Sequence, residues 1–362
     1  MTDIAWATRS QLELHSLDMR QFVDFRQSTL ANGMRLVEAF NASGLSYTIL
    51  PDRGLDIWSA QYRGAPLTWL SLGSPHPPDM GQAWLRQFNG GLLTTCGLTH
   101  AGPPEKEPIT DGGRDLHGLY SRLRAGDVAV RGAWQGDQYV MTLDGAVSEN
   151  RLFSEQLRLD RTYRLALDQP VIEWADRVSN LGDSPAPLMV LYHINVGYPL
   201  VRGDTTLHTP HEAVYSRDPD ARKGFDHWER YDAATPQYAE QVFFHQLKAA
   251  GDGRTVVGLL NESFGLQFEW DTSALPYMTQ WKHTRQGIYV SGIEPGNCIP
   301  EGQVAAQRAG RLVMIQPGET QQFGCTLTVL DGAAAVEQCR ARIADLQSGG
   351  APAACDLDDY AG

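Results

Sequence analysis

The stretch that decides the fold is Gln280 to Gly302, QWKHTRQGIYVSGIEPGNCIPEG. Ile288 to Ile293 alternates in the manner of a half-buried β-strand. The run ends at Glu294, and Pro295-Gly296 is expected to turn the chain away there. A residue before proline is held extended. Glu294 is therefore expected at the mouth of a strand, with its carboxylate aimed at whatever lies there. Just upstream, Gln280, Trp281, Lys282 and His283 offer an amide, an aromatic face, an ammonium and an imidazole to the same region. The stretch reads as the wall of a polar small-molecule pocket with Glu294 as its base. Taken alone, a glutamate before Pro-Gly reads first as a solvated turn residue, so the rest of the chain has to decide.

Working outward, the texture is that of short strands. On the N-terminal side these are Met34–Phe40, Leu45–Leu50 and Leu55–Tyr62, then Asp127–Trp134, Gln138–Val147, Gln156–Leu167, Val171–Asn180 and Pro187–Ile194. Nearer the opening stretch they are Val242–Leu247, Thr255–Leu260, Gly265–Trp270, Tyr277–Lys282, Leu312–Ile315 and Thr320–Leu330. Turn chemistry such as Gln135-Gly136-Asp137 separates them, at a spacing typical of antiparallel β architecture and not of βαβ units. So many strands imply two large antiparallel sheets packed face to face. No internal repeat or low-complexity linker divides the chain, so residues 1–362 are expected to form a single domain. Residues 1–30 read as a lead-in or edge strand. Residues 333–347 are the one segment with clear helical periodicity, and the residues from Ser348 look frayed. Two long stretches read as irregular: Phe88 to Gly118, rich in glycine, proline and threonine, and the polar excursion Pro199 to Gln237.

Composition narrows the function. The 362 residues carry 43 Asp and Glu against 30 Lys and Arg, a net charge of −13. Such an acidic chain without a basic block argues against nucleic acid and anionic membrane as partners. No apolar run is long enough for a transmembrane helix, and the N-terminus lacks the pattern of a signal peptide. The five cysteines are scattered without CxxC or disulfide-framework spacing, so a reducing cytoplasm is the expected setting. The common nucleotide, zinc-protease and serine-hydrolase motifs are absent, and no cofactor or metal is expected. His208-Thr-Pro-His211 has HxxH spacing, but its proline spoils a helical metal site.

Single histidines occur at informative places. His117 closes the long loop in Leu116-His117-Gly118. His193 closes the apolar strand Leu188–Ile194. His100 lies in Leu98-Thr99-His100-Ala101-Gly102. One carboxylate with one or two histidines, and no nucleophile motif, fits a proton-transfer reaction. Trp58, Trp69, Trp84 and Trp281 offer flat faces for the C–H side of a sugar.

Together, Asp52-Arg53-Gly54-Leu55-Asp56-Ile57, Pro66-Leu67-Thr68-Trp69, Phe88-Asn89-Gly90-Gly91, Leu116-His117-Gly118, Leu191-Tyr192-His193-Ile194-Asn195 and Gly292-Ile293-Glu294-Pro295 resemble the galactose mutarotase-like superfamily, the aldose 1-epimerases, and within it the DUF4432 branch. The resemblance spans about Leu45 to Leu330. It implies an all-β fold, a β-supersandwich, and an isomerase that interconverts the α and β anomers of a free or modified aldose without a cofactor. Glu294 is then the general base, His193 the general acid and His117 the orienting histidine, with His100 as the alternative for that role. Arg53, Asn89, His100, Gln280, Trp281 and Lys282 are the implied substrate contacts. Asp204 and Asp226 are candidates for the sugar-binding aspartate. The chain departs from the pattern at Gly296-Asn297-Cys298, which leaves the sugar open.

Three other functions remain: a non-catalytic carbohydrate sensor, a sugar lyase or isomerase with an enolate-stabilising tyrosine, and a mutarotase for hexose 6-phosphates. The last would need a cationic cluster drawn from Arg53, Arg86, Arg114, Lys282 and Arg285. The expected partner is a small sugar, phosphorylated or not, bound by a monomer or homodimer.

Overall fold

In the computed structural model, residues 8–73, 75–105, 113–347 and 353–356 are described. Short alternating segments pair with their nearest partners wherever a tight turn allows. The meander Asp24–Thr29, Arg35–Phe40, Leu45–Leu50, Asp56–Tyr62 and Ala65–Pro66 builds a five-stranded sheet. The same rule, with crossovers, gives an eight-stranded antiparallel sheet with the long strands Gln138–Asn150, Gln156–Ala166, Val171–Asn180 and Thr320–Asp331 side by side. A seven-stranded sheet runs in the order Ala353–Asp356, His211–Ser216, Gln241–Leu247, Tyr277–Arg285, Ile288–Gly296, Leu191–Gly197, Leu93–Cys96. The expected pair of large sheets is present, with the five-stranded meander as a third element.

One core joins all three sheets. Tyr47, Ile49 and Ile57 of the meander, Leu159, Tyr163 and Leu165 of the eight-stranded sheet, and Ile194, Met278 and Ile293 of the seven-stranded sheet belong to the same buried cluster. A polar network crosses this core. Arg161 and Asp176 sit directly opposite each other on neighbouring strands. The guanidinium grips Asp176 with two nitrogens at 2.8 and 2.7 Å and reaches Asp56 of the meander at 2.7 Å. From the seven-stranded sheet, the Thr95 hydroxyl donates to Asp56 at 2.6 Å and the Tyr192 hydroxyl to Asp176 at 2.6 Å. Burial pushes the Asp56 carboxyl up to about 6, while Arg161 and Thr95 hold it down.

Several segments differ from expectation. The long glycine-rich stretch contains the strand Leu93–Cys96, whose four residues are all buried and so show no alternation. The polar excursion holds Thr206–His208 and His211–Ser216, which also places the two histidines of the HxxH run in strands of different sheets. The lead-in contains the helix Arg9–His15, capped by Thr8, and the strand Asp24–Thr29. The expected frayed end is in part a strand: Ala353–Asp356 pairs in parallel with Ala213–Ser216, while 348–352 and 357–362 lie outside the described residues. The helix Ala333–Gln347 forms as expected, burying Val336, Cys339 and Ile343. No helix among the described residues is long and apolar enough to cross a membrane.

The ion network makes a stability prediction. Arg161→Met leaves two buried carboxylates without their cation, and breaking a buried pair from one side costs about 3–5 kcal/mol. Urea unfolding of the variant should show a loss of that order. A loss below ~1 kcal/mol would mean that the three sheets do not depend on this contact.

Candidate functional site

The strand Ile288–Gly296 does not stop at Glu294. It runs on through Pro295 and Gly296, paired with Tyr277–Arg285 on one side and Leu191–Gly197 on the other. The expected turn is overridden because both neighbouring strands continue past it. Proline does leave a mark. Against Leu191–Gly197 the ladder is formed at Leu191↔Gly296 and Ile194↔Ile293, and it is interrupted at the two positions between. A proline has no N–H to give a ladder. In that gap His193 lies opposite Glu294, with Nε2 of the imidazole 3.2 Å from Oε1 of the carboxylate. The contact is close but off hydrogen-bond alignment, and neither Glu294 Oε1 nor His193 Nδ1 has another partner.

Across the sheet the register sets one row, Thr94, His193, Glu294, Thr279. Gly292, two residues before Glu294 and on the same face, must stay small. A Cβ there would lie 2.6 Å from Glu294 Oε1 and 2.9 Å from Trp281 Cβ. Glycine thus makes the space in which carboxylate and indole sit side by side.

His193, Glu294 and Thr279 of this row form the floor of a cleft of about 410 Å³, within the size range of small-molecule sites. Aromatic rings surround His193: Trp281 at 5.4 Å, Phe88 at 5.9 Å and His117 at 5.8 Å between centroids. Trp84 stacks on Phe88 at 4.3 Å and contacts His117 at 5.1 Å. His117 itself has a left-handed backbone, φ +57°. Its neighbour Gly118 packs where a Cβ would meet the carbonyl oxygens of His100 and Gly97 at 2.4 and 2.5 Å. The His-Gly pair therefore folds the long loop back on the sheet and leaves the imidazole at the cleft. Asp115 ties this loop to the Trp84 turn by accepting from the Trp84 N–H at 2.9 Å.

Burial dominates the electrostatics. It pushes His193 down to about 4, with the Asn195 side chain and the Glu240 charge working against it. It pushes His117 down to about 3, helped by His193 and His100. Burial, and then the Glu240 charge, raise Glu294 well above the usual carboxylate range, while Arg217 opposes them. The His193–Glu294 pair is thus driven towards holding a single proton between two neutral partners.

The structure brings together Glu294, His193, His117 and Trp281 and separates the other expected contacts. Gln280 and Lys282 alternate with Trp281 along their strand and point to the opposite face. There the Gln280 Oε1 lies 3.1 Å from His245, and the Lys282 ammonium donates to the His227 carbonyl at 3.1 Å. Arg53 and Asn89 bond to each other at 3.2 Å in a separate nook, because Asn89 turns away one residue after Phe88 faces the cleft. His100 is a fastener. Its two ring nitrogens meet the Pro103 carbonyl at 2.8 Å and the Gln303 N–H at 3.4 Å, anchoring the long loop to the turn after Pro300. Asp204 is exposed and paired with Arg202 at 2.6 Å, and neither it nor Asp226 borders the cleft.

The carboxylate that does border the cleft is Glu240. Its Oε2 accepts from the Trp281 indole at 2.9 Å, and its Oε1 from Arg217 at 3.0 Å. Sequence reading missed both: Arg217 follows the strand His211–Ser216 hidden in the polar excursion, and Glu240 stands just ahead of the strand Gln241–Leu247. The available signal was a charged residue directly beside an apolar strand segment. Among the described residues no group of three His, Cys, Asp or Glu is arranged to hold a metal ion.

The fold is that of the galactose mutarotase-like proteins. A Klebsiella pneumoniae protein provisionally named an aldose 1-epimerase superposes with a TM-score of 0.84, covering 98% of this chain and 94% of its own at 24% identity. A galactose mutarotase-like protein of Clostridium acetobutylicum gives 0.59 at 14% identity, covering 86% of this chain and 99% of its own. The galactose 1-epimerase of Lactobacillus acidophilus gives 0.56 at 12% identity, also covering 86% and 99%. No curated protein matches the sequence. The chain belongs to the DUF4432 family, a domain of unknown function, which matches residues 31–329.

Glu294 should carry a pH-dependent stability cost. Its folded pKa lies above its unfolded value, so the folded state binds the extra proton and stability falls as pH rises above the ordinary carboxylate range. Glu294→Gln keeps the shape and removes the charge. Its melting temperature should exceed that of the parent by more at pH 8 than at pH 5. An equal difference at both pH values would contradict this.

Proposed function

We propose that this protein is a mutarotase, an aldose 1-epimerase-type isomerase acting on a sugar with a free anomeric hydroxyl. The observation that carries the proposal is the buried His193–Glu294 pair, 3.2 Å apart at the floor of an aromatic cleft. Ring opening needs one proton removed from the anomeric oxygen and one delivered to the ring oxygen, which is bonded to the same carbon. A base and an acid held side by side match that spacing.

In the step we assign, the Glu294 carboxylate takes the proton of the anomeric hydroxyl while the His193 imidazolium protonates the ring oxygen. The C1–O5 bond breaks, and its electron pair goes to the protonated ring oxygen as a carbonyl forms at C1. Rotation about C1–C2 and the reverse transfers close the ring on the other face. The pair begins with one proton on His193 and ends with one on Glu294. It therefore carries a single proton throughout, and no external acid or base is consumed. Burial disfavours the charge-separated arrangement that begins the step and favours the neutral one that ends it, which offsets part of the cost of opening the ring.

Trp281, Phe88 and Trp84 offer faces to the sugar's C–H surface. Glu240 and Arg217 offer a hydrogen-bonding edge for its hydroxyls, and His117 orients the ring beside His193. Nothing comparable favours an enolate-forming lyase: Tyr192 is turned away to Asp176, and Tyr289 donates to the Asp232 carbonyl.

Anomer exchange followed by NMR saturation transfer tests this reading. Glu294→Gln and His193→Ala should each lose about 10²-fold or more in rate while circular dichroism stays that of the parent. The acid limb of the rate profile should lie near pH 4, where the pair acquires a second proton, and not near the ordinary histidine value of 6.5. Parental rates in both variants would sink the assignment.

A further inference from the structure

The cleft has two unlike walls. On one side are the polar side chains of Thr279, Glu240, Arg217 and His283, together with Val242 and Trp281. The other side is built by Trp84, Leu85, Phe88, Pro103 and Leu116. Among the described residues of that second wall, only the His117 imidazole supplies a polar side chain besides the tryptophan indoles. The Trp84 indole N–H is already committed to the Ser121 hydroxyl at 3.2 Å. Leu85, on the short turn Trp84–Arg86, is 71% exposed at the cleft rim, so most of a large apolar side chain is left to solvent in the free protein.

The row across the sheet orients a sugar between these walls. Thr279 lies beyond Glu294, towards the polar wall, and Thr94 lies beyond His193, in the nook behind Phe88 and Trp84. If Glu294 addresses the anomeric oxygen and His193 the ring oxygen, the direction from C1 through the ring oxygen to C5 follows the row from the polar wall to the apolar one. The substituent on C5 then falls against Phe88, Trp84 and Leu85, and the ring hydroxyls fall towards Glu240 and Arg217.

Charge points the same way. Arg217 is the one Lys or Arg side chain at the cleft among the described residues. Two carboxylates already hold it, Asp218 at 2.7 Å and Glu240 at 3.0 Å. The other cations that a phosphate site could have drawn on, Arg53, Arg86, Arg114, Lys282 and Arg285, do not border the cleft. Among the described residues there is no free cation at the cleft to offset a dianionic group set against Glu240.

We infer that the substrate is an aldose whose C5 carries a methyl group or only hydrogen, a 6-deoxyhexose or a pentopyranose, with Leu85 as a specificity-determining residue. The inference rests on the mutarotase reading, and the test separates the two. Anomer exchange is measured for matched sets in the gluco, galacto and manno series: the hexose, its 6-deoxy form, the corresponding pentose and the 6-phosphate. In at least one series the 6-deoxy sugar or pentose should exceed the hexose about tenfold or more in kcat/KM, the scale on which an apolar pocket discriminates against an added hydroxyl. The 6-phosphate should stay at the uncatalysed rate. Leu85→Gln, at an exposed position that the fold tolerates, should bring the 6-deoxy and hexose rates to within about threefold by relieving that discrimination. Acceleration with the hexose or the 6-phosphate equal or preferred overturns this inference and leaves the mutarotase standing. No acceleration of any sugar overturns both.

Discussion

A single guanidinium, that of Arg161, holds the three sheets in register. It is fully buried between Asp176, its cross-strand neighbour, and Asp56, which arrives from the five-stranded meander. Thr95 and Tyr192 bring the seven-stranded sheet into the same network. A charged group in an apolar core is tolerated only when its donors are matched, and here the network draws side chains from each of the three large sheets. The consequence for the site is direct. Side chains alternate along a strand, so Tyr192 pointing inward to Asp176 obliges His193 to point outward, and Thr95 pointing inward to Asp56 obliges Thr94 to do the same. The buried network and the cleft are the two faces of one sheet.

On the cleft face, the main constraint is the break in the ladder beside Pro295. In a regular antiparallel ladder one of the two pairs opposite Tyr192 and His193 would exchange backbone hydrogen bonds. The proline withdraws one donor, and the gap falls at the carboxylate and the imidazole. Gly292 adds the room that the carboxylate and Trp281 need. Both groups are then so buried that neither charge is favoured alone. In such a pair the neutral arrangement, with the proton on Glu294, gains on the charge-separated one that water would favour.

Much of this was legible in the sequence, for identifiable reasons. Strands such as Gln156–Ala166 and Thr320–Asp331 have one face inward and one outward, so their alternation survives in the residue order. Leu93–Cys96 is buried on both faces and has none. Glu294, His193 and His117 could be picked out because each sits beside a residue with special backbone chemistry or at the end of an apolar run. Gln280 and Lys282 were drawn into the same group by proximity in sequence, although a period of two sends them to the opposite face. Arg53 and Asn89 sit among the residues that carry the family resemblance, yet they brace each other behind the aromatic wall.

What the sequence determined by itself was the antiparallel β architecture and the C-terminal helix, whereas Glu294 and His193 stood out as a pair only through the family resemblance. The architecture and the helix follow from period, propensity and turn chemistry, which are local properties of the chain. Only the tertiary structure decided that His100 is a fastener and His117 faces the cleft, that Arg217 and Glu240 border it, and that Arg161 lies between two carboxylates. Those outcomes depend on which strands become neighbours across long separations. Pairing of that kind is set by the packing of whole sheets against a shared core, and no short window of residues encodes it.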